Sequence, residues 1–275
     1  RFRLDNNANI SDPIGMAGSL LEVDVHIVTA QETIMRNIRR CVTRAGLKIE
    51  RFVLQPIASA SSVLTEEEMD AGIAVVDIGG STTSIVVYYD GSIQHTEILA
   101  VGGEHITRDI NHYFQTPLEN AERLKIYEGT VLTESVPEEE FIQVVRFKNR
   151  RSIKARRRRL CWVIEARVDQ ILKEVNRTLQ ARDLLRHLYG GIVLTGGTSL
   201  LDGLVERAAR VMHREAHIGY PNGVLGLSDL NSPIYAAGIG LLHYCHQERM
   251  VERASKGSTV KHLLVRSLEW LRETF

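Results

Sequence analysis

The chain has 275 residues, 44% hydrophobic and 25% charged, with a net charge of zero. That is long enough for one large or two modest domains with a real core, and it carries no global basic excess to suggest nucleic acid. Its three cysteines lie far apart with no metal-ligand spacing, which points to reduced thiols in a cytosolic compartment.

No apolar run approaches the roughly 18 residues of a spanning helix, and no signal peptide is visible. The chain opens at Arg1 in what reads as mid-domain, as expected of a protein lacking its natural N-terminus. "LLEVDVHIVTA" (20–30) alternates as a strand does. "QETIMRNIRRCVTRAG" (31–46) puts Ile34, Ile38, Cys41 and Val42 on one helical face, closed by Gly46. "IERFVLQPIAS" returns to a strand and "ASSVLTEEEMDAG" to a short helix ending at Gly72. The order suggests α/β layers. Three strands then follow, Ile73 to Ile78, Ile85 to Tyr89 and Ser92 to Ala100, with Asp90-Gly91 as a hairpin turn between the last two. Helices are predicted after the glycine pair Gly102-Gly103 and from Pro117, a residue suited to a first helical turn.

Composition shifts at Val131. "ESVPEEE" is acidic, and Arg146 to Arg159 holds nine basic residues and no acid. A long helical pattern covers about Leu160 to Leu188. "GGIVLTGGTSLLDGLVERAARVM" (190–212) reads as strand, glycine turn and helix. "NSPIYAAGIGLLHYCHQ" is a small-residue helix, "ERMVERASKGSTV" a linker and "KHLLVRSLEWLRETF" a final helix. Cys41 and Cys161 occupy apolar helical positions and are expected in the core. His26 and His95 read as structural histidines.

Two stretches carry chemistry. In "AVVDIGGSTTSIVVYYDG", Asp77 ends a strand. Gly79 and Gly80 let backbone N–H groups close on an anion, and Ser81, Thr82 and Thr83 add hydroxyls. A carboxylate beside phosphate-binding amides suits a hydrated Mg²⁺, so Asp77 is the candidate metal organiser through water. The bland alternative is a tight hairpin with polar turn residues. "IVLTGGTSLLDGL" repeats the logic with Gly196, Gly197 and Thr198 before a helix, whose N-terminus favours an anion. Each turn alone is weak; together they suggest two walls of one cleft. Neither is a Walker A loop or a G-x-G-x-x-G fingerprint.

Here the residues resemble a known superfamily. The first stretch is similar to the second phosphate loop of the actin, sugar-kinase and Hsp70 ATPases, and the second to their adenosine motif. "NAERLKIYEG" is similar to their nucleoside-contacting helix, so Glu122 and Lys125 would face the nucleoside. "DPIGMAGSLLEVDVHIVTA", "ASSVLTEEEMDAGIAVVDIGG", "HTEILAVGGEHITRDI" and "GLSDLNSPIYAAGIGLLHY" resemble the FtsA family of bacterial cell-division proteins, over nearly the whole chain.

The resemblance implies an α/β fold of the actin-like, ribonuclease H-like class with an incomplete first lobe. Residues 1–69 would be the latter part of an FtsA-specific subdomain and 70–230 the second lobe, with an outer subdomain at 117–186. Residues 231–247 would be a helix returning to the first lobe, 248–260 a linker and 261–275 a membrane-targeting helix. ATP with Mg²⁺ would bind at Asp77, Gly79, Gly80, Ser81, Thr82, Thr83, Gly103, Glu122, Lys125, Gly196, Gly197 and Thr198. Two departures bear on catalysis: the family's third loop glycine is Ser81 here, and its usual Asp after the threonines is Ser84. The family's first phosphate loop has no counterpart. The chain is therefore at most a weak ATPase and is expected to be inactive alone.

In the final segment, Leu264, Leu268, Leu271 and Phe275 form a stripe that Trp270 widens, with basic groups on other faces. Such a helix can lie in an anionic bilayer interface; a terminal helix docked on the protein itself is the alternative, and FtsA resemblance favours the membrane. The basic run reads best as a solvated loop and helix start, and it has no interleaved aromatics for stacking nucleic-acid bases. The family's outer subdomain binds the C-terminal tail of FtsZ, making Lys173, Arg177 and Arg182 candidate contacts. The implied role is a scaffold that tethers FtsZ at the cytoplasmic face of the membrane at the division septum and polymerises into actin-like filaments under ATP control. Other ATP-driven roles, as an Hsp70-type chaperone, a sugar kinase or a pilus-assembly actin homologue, fit the tail less well.

Overall fold

The computed structural model describes residues 2–10, 13–147, 152–223 and 230–255. The N-terminal part holds β1 (Phe2–Leu4), β2 (Asn7–Ile10), β3 (Leu21–Val23) and α1 (Glu32–Arg44), with the three strands antiparallel in the order β2-β1-β3. Two helices follow, α2 (Gln55–Val63) and α3 (Glu66–Ala71). Then come β4 (Ile73–Ile78), β5 (Thr83–Tyr89), β6 (Ser92–Leu99), α4 (Gly103–Phe114) and α5 (Leu118–Glu128). A hairpin, β7 (Phe141–Val145) and β8 (Ser152–Arg156), leads into α6 (Arg157–Ala181). The rest is β9 (Ile192–Thr195), α7 (Leu204–Met212), β10 (Ala216–Ile218) and α8 (Ala236–Ser255).

The core is built on a five-stranded sheet ordered β10-β9-β4-β5-β6. β10, β9 and β4 are parallel, and β4, β5 and β6 antiparallel. Every residue of β4 is buried, as a β-branched run in the middle of a covered sheet must be. Its alternate residues serve two different layers. Ala74, Val76 and Ile78 join Ile85, Val87 and Leu194 against residues of α4, α5, α6 and α7. Ile73 and Val75 join Val86, Tyr88 and Val193 against residues of α2 and α8. The α2–α8 contact is close because small residues line it: Ser62 Oγ donates to the Ala236 carbonyl at 2.8 Å and Ser61 Oγ to the Gly240 carbonyl at 3.1 Å. The β5–β6 turn has φ of 48° at Asp90 and 68° at Gly91, the left-handed pair that matches strand twist.

Several expectations need correction. Of the strand read at 20–30, only Leu21–Val23 pairs; Val25 and Ile27 are 62% and 74% exposed. The strand read at Ile49 to Ser59 does not form. Its second half is the start of α2, where Pro56 occupies the first turn, a place its missing N–H and fixed φ suit. The single helix expected up to Gly72 is two, because Thr65 and Glu68 form a reciprocal cap that starts α3 anew. Pro117 caps α5 from just outside it. Cys161 is buried, but Cys41 is exposed, since α1 buries none of its residues. α6 stops at Ala181 rather than near Leu188. The β7–β8 hairpin and β10 were not anticipated. α8 continues to Ser255 through part of the segment read as a linker, where Glu, Arg, Met and Ala all favour helix. The membrane-helix residues Leu264, Leu268, Trp270, Leu271 and Phe275 lie outside the described residues.

Candidate functional site

The site forms where β4 and β9 end side by side. Asp77 is paired with Thr195 in the parallel ladder, so the two glycine turns leave the same edge of the sheet as neighbours. Gly196 has φ of +83°, and a Cβ there would sit 2.3 Å from Asp77 Oδ1 and 2.7 Å from the Ile78 carbonyl oxygen. Only glycine fits between the second turn and the carboxylate.

The other predicted residues close on this point. The loop after β4 is tightened by Gly79 N–H donating to the Thr82 carbonyl at 2.9 Å. The N–H groups of Gly103 and Glu104, which open α4, donate to the carbonyls of Gly79 at 2.9 Å and Gly80 at 2.7 Å. Thr198 Oγ1 donates to the same Gly79 carbonyl at 3.1 Å, joining the second turn to the first. A Cβ on Gly103 would lie 2.4 Å from Thr198 Oγ1, so helix and turn meet over a bare backbone. Thr83 is buried and donates to the Val101 carbonyl. Gly80, Ser81 and Gly197 are exposed and Thr82 half-buried, leaving the loop's outer rim open.

Lys125, only 8% exposed, reaches from α5 into this junction. Its ammonium donates to Glu122 Oε2 at 2.8 Å, Thr107 Oγ1 at 3.0 Å and the Gly103 carbonyl at 3.3 Å. Thr107 also donates to Glu122. A buried ammonium needs such pairing, and this one ties α5 to the start of α4. All twelve predicted ligand-binding residues are thus on four neighbouring segments: the end of β4 through the loop to the first residue of β5, the start of α4, α5 and the turn after β9.

The sequence did not flag three groups that shape this site. Asp77 is 3% exposed, and its Oδ2 accepts from Ser59 Oγ at 2.6 Å and Gln55 Nε2 at 3.3 Å, both on α2. Thr107 bridges Lys125 and Glu122. Nothing local in "QPIASASS" announces a carboxylate partner; the contact exists only because α2 packs on the end of β4. Ser84 stands directly opposite Asp77 across the β4–β5 ladder, and its buried hydroxyl has no hydrogen-bond partner among the described residues. Mg²⁺ prefers few carboxylates and retained waters. The donor set fits that habit: one oxygen of Asp77 is engaged by α2, and among the described residues Oδ1 has no hydrogen-bond donor. Among the described residues no cluster of three metal-ligating side chains occurs.

The partner candidates lie elsewhere on α6. Lys173 is ion-paired with Asp169 at 3.4 Å, Arg177 with Glu174 at 2.8 Å, and Arg182 is exposed past the helix end. On the same helix, Arg207 from α7 grips Asp169 at 2.6 and 2.7 Å and Glu165 at 2.8 Å. Burial alone would raise the Asp169 carboxyl, but the Arg207 guanidinium and the Lys173 ammonium hold it below its ordinary value. Near the start of α6, Trp162 is 58% exposed beside Tyr113, their rings 6.4 Å apart. They share two shallow grooves of about 300 and 320 Å³ whose rims carry Arg156, Arg158, Arg159 and Arg167.

Comparison with known proteins agrees with this architecture. The family described as "Cell division protein FtsA" matches residues 74–240, and the "SHS2 domain inserted in FTSA" matches residues 1–29. Cell division protein FtsA of Neisseria meningitidis is 37% identical over 282 residues, covering all of this chain and 68% of that protein. FtsA of Escherichia coli K12 is 37% identical over 290 residues with the same coverages. Among solved structures, MreB5 of Spiroplasma citri bound to AMPPNP superposes with a TM-score of 0.63 at 18% identity, over 82% of this chain and 68% of that one. A PilM–PilN type IV pilus biogenesis complex gives 0.58 at 20% identity, over 75% and 56%. These two establish the actin-like fold. Among the described residues, no helix is long and apolar enough to cross a membrane. The chain belongs to the FtsA family of cell division proteins.

Proposed function

We propose that this chain serves cell division as a nucleotide-responsive scaffold, with the junction around Gly79, Gly103, Lys125 and Thr198 as half of an ATP site. The observation that carries the reading is the convergence of four separate segments on the Gly79 carbonyl and the Lys125 ammonium. The Gly79, Gly103 and Glu104 amides hold the loop's own carbonyls, so phosphate would meet the exposed rim at Gly80 and Ser81, and the Glu122–Lys125 pair offers polar contacts to a nucleoside. Mg²⁺ would be held through water by Asp77, supplying charge neutralisation for the phosphates. Asp77 would then orient those waters, while Ser59 and Gln55 fix its carboxylate. ADP and AMPPNP in the MreB5 structures support a nucleotide here.

The finer assignments rest on family membership and on surface chemistry. The domain plan is the one implied above, with one change: a family-specific subdomain to residue 69, the second lobe at 70–230 with its outer subdomain at 117–186, then a returning helix that runs on to Ser255, a shorter linker and the membrane helix. An FtsZ tail, short, partly acidic and apolar, matches the Tyr113–Trp162 grooves and their arginine rims better than it matches Lys173 and Arg177, which already hold carboxylates. The segment 261–275 supplies the membrane contact at the septum, and copies of the chain self-associate in the manner of actin-like filaments.

A fluorescent ATP analogue titrated into the full chain tests the nucleotide reading. Weak binding is expected, and Lys125→Met lowers affinity about tenfold, the loss of hydrogen bonds to a charged group. Equal binding by both proteins, with equal melting, would refute it. The tether is tested by sedimentation with anionic vesicles, which the chain cut before Lys261 should fail to accompany.

A further inference from the structure

A cavity of about 850 Å³ lies where β1 and β2 meet α2, α3, the β5–β6 turn and α8. That is the size of a small-molecule site. None of the twelve nucleotide-site residues lines it. Its walls are largely apolar, with Phe2, Ile10 and Met69 among them. Its charges are all negative: Glu66, Asp70 and Asp90 line it, and no described lysine, arginine or histidine does. Glu66 and Asp70 stand four apart on α3, so their carboxylates share one helix face, an unfavourable arrangement for like charges. Neither is ion-paired among the described residues. Asp70 keeps its place because the turn offers no side chain there: a Cβ on Gly91, where φ is +68°, would lie 2.7 Å from Asp70 Oδ1.

Tyr88 adds an unmet hydrogen bond. It sits on β5, 6% exposed, with its side chain in the core layer of α2 and α8. The same side chain lines the cavity, and among the described residues its hydroxyl has no hydrogen-bond partner. Buried polar groups are rarely left so. Burial, with the Tyr244 phenol nearby, pushes the Tyr88 phenol up to about 12. It therefore stays neutral, and its oxygen can accept from a cation. Tyr244 lines the cavity as well.

Negative charge, phenol oxygens and apolar or aromatic walls suit a cation with an alkyl body. The carboxylates do not converge on one point, since no three metal-ligating side chains cluster among the described residues. The complementary ligand carries its positive charges apart, joined by methylenes that the walls cover. We propose that this cavity binds an aliphatic polyamine, whose ammonium groups meet Glu66, Asp70 and the Tyr88 hydroxyl while its methylenes lie against Phe2 and Met69. Bound there, the polyamine ties the N-terminal strands to α3 and the β5–β6 turn.

Calorimetric titration of spermidine into the full chain, without nucleotide, tests this. Three variants accompany the wild type: Tyr88→Phe, Glu66→Gln with Asp70→Asn, and Glu67→Gln, an exposed carboxylate on the same helix that does not line the cavity. Saturable binding is expected, weakened about tenfold by Tyr88→Phe and about tenfold or more by the double variant, and unchanged in Glu67→Gln. Melting curves without spermidine establish that the variants fold; the double variant, at two exposed positions, carries the test if Tyr88→Phe melts early. Several results would overturn the proposal. One is no saturable heat and no rise in melting temperature at millimolar spermidine. Another is an equal loss in Glu67→Gln, or displacement of spermidine by Mg²⁺ at equal charge, which marks a diffuse counterion effect. A third is binding that ignores both cavity changes. A trilysine peptide that binds more tightly than spermidine, with the same dependence on the variants, would assign the cavity to a basic peptide instead.

Discussion

Two helices of this molecule were equally legible in sequence and met different fates. α1 carries Ile34 and Ile38 on one face, and α4 carries Ile106 and Ile110 on one face. Ile106 and Ile110 are fully buried beneath α5 and α6, whereas Ile34 and Ile38 remain 52% and 44% exposed and α1 buries nothing. The same contrast separates β4, buried at every residue, from β3, exposed at every residue. Periodicity specifies which face of an element is apolar; it does not supply the surface that covers it. The five-stranded sheet has such cover on both sides, α4 to α7 on one and α2 and α8 on the other. The N-terminal part, matched by the inserted SHS2 family over residues 1–29, does not among the described residues.

Mutations sharpen the contrast. The largest expected effect is Ile110→Ala, about 3 kcal/mol of lost stability, because the side chain is wholly buried and leaves a cavity. Ile38→Ala, the matched change in α1, should cost under about 0.5 kcal/mol. Denaturant unfolding of the two variants gives the comparison directly, and similar losses would break it.

Next in size is Arg207→Met, which strands Glu165 and Asp169 against α7 and should cost on the order of 2 kcal/mol. The accompanying pH dependence has a fixed sign. The Asp169 carboxyl is held below its ordinary value of 3.8 in the folded chain. The pair's stabilisation is therefore complete above that value and is lost as pH falls through the lower folded one. Acid unfolding of Arg207→Met, followed by circular dichroism, should begin at higher pH than that of the wild type. Ser84→Ala should act in the opposite direction. Removing an unpartnered buried hydroxyl should be neutral or stabilise by up to about 1 kcal/mol, and a clear loss in thermal melting would mean that the hydroxyl has a partner.

The strands that build the site were readable where physics is local. β4 was located to the residue, because its β-branched run ends at a carboxylate and two glycines. The Asp90–Gly91 turn was legible because few residue pairs accept two left-handed φ values. The β7–β8 hairpin was hidden because β7 has only five residues and β8 sets Ile153 and Ala155 between Ser152, Lys154 and Arg156 in a run so basic that it read as a solvated loop. Lys125 and Glu122 were found by resemblance, but Thr107, which joins them, was not, since it lies on another helix. Ser59 and Gln55 were missed for the same reason. Their role comes from α2 being packed against the end of β4, a long-range contact that no local pattern encodes.

The central claim is that four segments of this lobe form one nucleotide-binding surface. Amide NMR shifts of the full chain, followed through a titration with Mg-ATP into the millimolar range, test it most directly. The account predicts changes concentrated at Gly79 to Thr83, Gly103, Glu122 to Lys125 and Gly196 to Thr198, saturating together. Shifts centred on the Tyr113–Trp162 grooves, or none at these glycines at saturating nucleotide, would contradict it.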